Sequence, residues 1–203
     1  MRHIEKKEAP QAYVDFLKDK RPAVWKDFSY AAPAVYASAC EALKAEQSSM
    51  CGYTEIYFAG GVKGHIDHFV KRDHNPRKTF DWQNFIYATR DDAFGARYKD
   101  SKIGKEEYDA ILNPVVDHPE DYFEYDYVGR IYPKEGLTSA DSQKAERTIE
   151  LFNLNHPTLC RRREAVVIAV ANYKNSGIDD ALINEWLVGE GFESLRGELL
   201  GDA

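Results

Sequence analysis

At 203 residues, 43% hydrophobic and 30% charged, the chain has ordinary globular usage and enough length to enclose a sizeable core. A net charge of −7 argues against a non-specific nucleic-acid binder, and three scattered cysteines (Cys40, Cys51, Cys160) without a C-x-x-C argue against a disulfide framework or a four-thiolate zinc site. The charged opening Met1–Lys7 predicts no secretory leader, and no apolar run approaches the roughly 18 residues of a membrane span. The expectation is a cytoplasmic protein with no membrane association.

In chain order, Pro10 suits the first turn of a helix, Tyr13, Phe16 and Leu17 follow at helical spacing, and Pro22 closes the segment. A second helix is predicted over Pro33–Gln47 with Val35, Ala39, Ala42 and Leu43 inward and Cys40 as a packing residue. Residues 52–58 are rich in β formers, Gly60-Gly61 supplies a turn, and Val62–Phe69 resumes a strand-like run, which predicts a hairpin. Residues 70–81 are a polar loop, Gln83–Thr89 is a returning strand, and Asp91-Asp92 suit the first turn of a short helix through Ala93–Lys99. Tyr122–Tyr132 alternates aromatic and acidic residues and predicts two edge strands or a hairpin. Helices are then expected over Thr138–Phe152, over Leu159–Tyr173, and from Asp179-Asp180 through Leu182, Ile183, Trp186 and Leu187. No repeat or linker interrupts the chain. One domain over residues 1–203 is expected, with N-terminal helices (1–49), a middle segment (50–105), and a hairpin with C-terminal helices (106–203).

Charge is unevenly spread. Lys63–Lys105 holds ten Lys/Arg and six Asp/Glu, whereas Glu106–Asp126 holds eight acids and no Lys or Arg. This suits a phosphate-facing surface beside a protein-facing one, or solvated loops of accidental composition. The run Arg161-Arg162-Arg163 can clamp phosphates, bind an acidic partner, pair with the acids of 106–126, or simply be the solvated start of a helix.

The most informative residues are His65-Ile66-Asp67-His68-Phe69. Alternation on a strand puts His65 and Asp67 on one face and His68 on the other, unless a strand end or bulge brings Asp67 and His68 into one site. A carboxylate can hold a divalent cation and a neutral imidazole can take a proton from water near pH 7, which are the two roles that phosphodiester hydrolysis needs. Asn84 can fix a loop or orient the imidazole. His74, His118 and His156 are isolated and read as structural or solvated.

Cys51-Gly-Tyr-Thr54-Glu55, His65-Ile-Asp-His68-Phe69 and Trp82-Gln-Asn84-Phe85 together resemble HNH endonucleases of the PtuB type, found in bacterial anti-phage systems of the Septu kind and beside some retrons. The pattern there is C-x-Y-C-E, then H-I-[ED]-H-F, then W-x-N-L and a second cysteine pair. Met1–Lys6, Phe123–Pro133, Leu154-Asn155 and Arg161–Arg163 are similar to further stretches of that family. The resemblance implies an α+β fold with a ββα-metal (HNH, His-Me finger) core over 50–105, embedded in a mainly helical domain. It implies His68 as general base, His65 near metal or phosphate, Asn84 as the middle residue of the HNH name, and Asp67 as ligand to Mg²⁺ or Mn²⁺. It also implies a DNA or RNA substrate, contacted by Lys71, Arg72, Arg77, Lys78, Arg97 and Lys99, and an ATPase partner of the PtuA type. No phosphate-cradling G-x-x-x-x-G-K-[ST] loop is present here, so nucleotide-driven control would come from that partner.

The chain departs from the family at the zinc ligands. Thr54, Thr89 and Asp92 fall where three of four cysteines are expected, so no structural zinc is expected and packing with a reorganised helix start must replace it. Ala93 falls where the last metal ligand is expected. Asp91 or Asp92 would then serve as the oxygen ligand, or both merely cap a helix. Two functions follow: a metal-dependent nuclease subunit, and a non-catalytic adaptor on the same scaffold that docks a partner through Tyr108–Tyr132. A small-molecule hydrolase lacks any nucleophile motif.

Overall fold

The computed structural model describes residues 1–201. Eight helices and two antiparallel two-stranded sheets are present among them, an α+β arrangement: α1 Gln11–Lys20, α2 Trp25–Ser29, α3 Pro33–Glu46, β1 Gly64–His68, β2 Phe85–Thr89, α4 Ala96–Lys102, β3 Phe123–Tyr125, β4 Ile131–Pro133, α5 Ser139–Phe152, α6 Pro157–Asn175, α7 Asp180–Trp186 and α8 Glu193–Leu200. No helix among the described residues is long and apolar enough to cross a membrane.

Local chemistry accounts for the helix ends. Proline opens α3 and α6, where its missing N–H is not needed. Thr138 Oγ1 accepts from Asp141 N to start α5, and Asp179 accepts from Ala181 N to start α7. Asn153 closes α5 in the left-handed conformation (φ 48°), and its side-chain amide donates to Ala93 O (2.8 Å), tying α5 to the segment that leads into α4. Gly95 N donates to Phe152 O (2.8 Å), completing that junction.

Sheet β1–β2 organises the centre. It pairs Gly64 with Thr89, Ile66 with Tyr87 and His68 with Phe85. The strand partner of β1 is therefore 85–89, and the expected pairing with 52–58 does not form. That segment instead makes tight turns: Glu55 has φ 57°, Cys51 N donates to Ile56 O, and only Met50 and Tyr57 bridge. The two faces of the sheet border different clusters. Ile66, Phe85 and Tyr87 pack with Tyr13, Phe28, Leu43 and Trp82 from the N-terminal helices and the loop before β2. Phe69, Ile86 and Ala88 pack with Tyr53, Phe94, Ala96, Phe152 and the C-terminal helices. The hairpin expected near Gly129 forms as β3–β4. Helices α2 and α8 lie where no helix is expected from the sequence pattern.

Candidate functional site

Strand alternation carries Asp67 to the face shared with Tyr53 and α4, and His68 to the opposite face. Strand β1 is regular through His68, so no bulge brings the two groups together. The expectation of a joint Asp67–His68 site is therefore not met.

Asp67 is buried, and its Oδ2 accepts from the Tyr53 hydroxyl (2.7 Å) and from Lys99 Nζ (3.0 Å). The Lys99 ammonium also donates to the backbone oxygens of His68 and Phe69, both at 3.0 Å, and its side chain is fully buried. Asp100 Oδ1 lies 3.1 Å from the same ammonium, off the axis of a hydrogen bond and with no other partner. An ammonium has three donors, and here they meet three oxygens in a dry setting. Burial disfavours the charge on Lys99, but Asp67 and Asp100 more than offset it, so its pKa lies above the ordinary lysine value. Burial and the Asp67 charge push the Tyr53 hydroxyl well above its usual range.

Lys99 was expected at a nucleic-acid surface; it is instead an internal counter-ion. Ala96 and Lys99 in α4 and Ile103 directly after it all face inward, at the spacing of an apolar stripe. That spacing is the signal in the sequence that a lysine here is internal. Of the other basic candidates, Lys71 Nζ donates to Asp100 O (2.9 Å), and Arg97 pairs with Asp92 (2.9 Å). Arg72 lies over the Trp25 ring and Arg77 is exposed. Lys78 is half-buried on the same loop.

On the other face, the His68 ring stacks edge-on against Trp25 and Phe85, and Nε2 lies 2.9 Å from Thr79 O. Burial lowers its pKa to about 4, against the smaller opposing effects of the Thr79 carbonyl and Asp67. It is neutral at pH 7 and a weak base. Asn84 fixes the loop that carries Thr79: its Oδ1 accepts from Val70 N (2.8 Å) and its Nδ2 donates to Val70 O (3.0 Å) and Lys78 O (3.3 Å). His65 shares the Asp67 face; its Nδ1 is buried without a partner, and burial lowers its pKa.

Asp91 and Asp92 do not approach Asp67 as ligands. Asp91 Oδ1 accepts from Ala93 N (2.8 Å) and Asp92 holds Arg97. Among the described residues, no three His, Cys, Asp or Glu side chains converge as a metal site. More decisively, Asp67 Oδ2 already has two donors and a full positive charge beside it. A divalent ion on that oxygen would have to sit against the ammonium, which disfavours Mg²⁺ or Mn²⁺ there.

Three positions where the resemblance expects cysteines do gather. Cys51 Sγ accepts from Thr89 N (3.4 Å) and Thr89 Oγ1 (3.6 Å), and the Cα of Gly95 faces Thr54 and Thr89 closely enough that an added Cβ would touch both. Thr54 Oγ1 is buried there without a partner. No protein-family model matches the chain, and no curated protein matches it.

Proposed function

We propose that the chain is an HNH-type ββα scaffold whose cation has been replaced by its own lysine, and that it acts as a non-hydrolytic subunit docking a partner protein. The Lys99 ammonium on Asp67 Oδ2 carries this reading. The convergence of Cys51, Thr54 and Thr89 supports descent from a zinc-bearing HNH scaffold, as does the order β1, β2, α4 with Asn84 pinning the intervening loop.

The docking element is the β3–β4 turn. Tyr127 is 86% exposed at its tip, and Val128 beside it is also exposed. The turn is rigid: Asp126 Oδ1 accepts from Val128 N and Arg130 N, and Oδ2 from the Tyr132 hydroxyl (2.9 Å). A large aromatic on a pre-organised turn loses little entropy on docking. Glu120, Asp121, Glu124 and Asp126 precede it in sequence. The fitting partner is a protein offering an apolar recess rimmed by lysine or arginine, and an ATPase subunit of the resembling systems is the natural candidate.

The test is calorimetric titration of Mn²⁺ into the chain and into Asp67→Asn, with plasmid and single-stranded RNA incubated in Mg²⁺ or Mn²⁺ alongside. The expected result is no Asp67-dependent binding and no cleavage. One bound Mn²⁺ lost in Asp67→Asn, or cleavage lost in His68→Ala, would overturn it. Those outcomes would establish the second reading, a metal-dependent HNH nuclease acting on DNA or RNA. The observation that favours that reading is the imidazole of His68 oriented by Thr79 O on an Asn84-fixed loop. It requires Lys99 to leave Asp67.

A further inference from the structure

At the other end of the β1–β2 hairpin lies a cleft unconnected with Lys99. Gly64 lies four residue steps along β1 from His68, about 13 Å at strand rise. The cleft is a cavity of about 180 Å³ beside Thr89, Arg90 and Asp91 at the end of β2, Lys63 before β1, and Thr158 and Arg162 in the first turns of α6. At about 30 Å³ per water it holds about six, room for one tetrahedral anion and its solvation.

We infer that this cleft binds a phosphoryl group. Lys63, Arg90 and Arg162 line it, and none of the three lies within ion-pair distance of a carboxylate among the described residues. Many other Lys and Arg of the chain are likewise unpaired among the described residues, so what sets these three apart is that they border one small cleft. The one carboxylate in the cleft, Asp91, already accepts from Ala93 N. Three cations against one carboxylate leave a surplus of two positive charges, which matches a phosphate dianion better than a monocarboxylate. Two guanidinium groups offer the forked donors that phosphate oxygens take in pairs. Thr158 also lines the cleft, and the N-terminal dipole of 19-residue α6 adds to the same field. Arg162 belongs to the Arg161–Arg163 run, whose members divide: Arg163 is buried and holds Gly129 O and Leu154 O, while Arg162 is exposed and free to bind.

The phosphoryl group can be free phosphate or the end of a nucleic-acid strand. The experiment is calorimetric titration of inorganic phosphate at constant ionic strength, with chloride as control. We expect saturable binding of one phosphate per chain. The Arg90→Gln/Arg162→Gln double variant should bind at least about tenfold more weakly, since each charge-assisted pair is worth more than 1.4 kcal/mol. Lys18→Gln/Lys20→Gln, with the same change in net charge on exposed α1, should bind as the parent does. Competition with a 5′-phosphorylated oligothymidine but not its 5′-hydroxyl counterpart assigns the group to a strand end; competition by neither assigns it to free phosphate. Absence of saturation, or equal binding by the Arg90/Arg162 variant, overturns the inference. Either result leaves the Lys99 reading untouched, because that reading is judged on Mn²⁺ and Asp67 alone.

Discussion

Replacing Lys99 by methionine keeps most of the aliphatic stem and removes the charge. The parent ammonium is fully buried and satisfies Asp67 Oδ2 and the carbonyls of His68 and Phe69. Removing one partner of a buried ion pair strands the other charge and costs about 3–5 kcal/mol. Total stability of a domain is about 5–15 kcal/mol, so the loss is a large share of it. Asp67→Asn alone leaves the ammonium without its main counter-charge but keeps a side-chain oxygen within reach of Tyr53 and Lys99, so its cost is smaller, about 2–3 kcal/mol. In the Lys99→Met/Asp67→Asn double variant neither charge of that pair remains, and only the Asp100 carboxylate loses its neighbour. That variant should be more stable than the sum of the two losses predicts, by about 2–3 kcal/mol. Urea midpoints, read by tryptophan fluorescence and far-ultraviolet dichroism together, measure all four chains. Strict additivity, or a Lys99→Met loss under about 1 kcal/mol, would show that the ammonium does not rest on Asp67, and the non-hydrolytic reading would lose its foundation.

Lys99→Ala should acquire a response to Mn²⁺ that the parent lacks, since it frees Asp67, Asp100 and two carbonyl oxygens; at a hundredfold excess over Kd the gain is about 2.7 kcal/mol, seen as a raised melting temperature, and a flat response refutes it. His68 has a folded pKa of about 4 against an ordinary value of about 6.5. Its contribution is fully present above pH 6.5 and is lost as pH falls toward 4, because the unfolded chain takes up the proton first; the size is about 3 kcal/mol. His68→Gln should flatten urea midpoints across that window, and an unchanged slope counts against the burial argument. Asn84→Ala removes three bonds to the 70–79 loop and strands the Val70 amide, a loss of about 2–4 kcal/mol, with raised hydrogen exchange confined to that loop; uniform exchange throughout would contradict the local role. Gly129 has φ 73° and faces the Cys160 carbonyl and the Glu164 amide so closely that a Cβ has no room, so Gly129→Ala should destabilise by more than about 3 kcal/mol and displace Arg163 from Gly129 O.

Much of the element order was legible because periodicity and end signals agreed. Pro33, Thr138 and Asp179 mark helix starts that the structure keeps, while α6 begins at Pro157, two residues before the expected Leu159. The pairing of β1 was not legible. Residues 52–58 and 62–69 flank a Gly-Gly turn and carry β formers, so local signals favour joining them. Tertiary packing overrides this: Tyr53 and Ile56 are needed in the cluster beneath β2, and Phe85–Thr89, buried at every position, can only be satisfied as the partner of β1. Helix α2 is too short for periodicity to reveal. Helix α8 begins after a left-handed Phe192 whose backbone N–H is held by Glu55 O, a contact 137 residues away in sequence.

The Asp67–His68 pair shows how two neighbours in sequence come to lie in different surroundings. Adjacent residues on a regular strand must diverge, and the side each one meets is set by what packs there. Trp25 and Phe85 enclose His68 on one face, while Tyr53 and Lys99 enclose Asp67 on the other. The same logic runs through the region where the resembling family holds zinc. Cys51 there accepts from Thr89, while Asn153 and the Phe152 carbonyl grip Ala93 and Gly95 at the approach to α4. A bond network from α5 thus fixes the entry of α4, and that entry sets the rotation which turns Lys99 inward. The internal cation at Asp67 and the packing of Thr54 and Thr89 beside Cys51 are therefore coupled features of one region: a helix positioned by α5 delivers a lysine to the carboxylate.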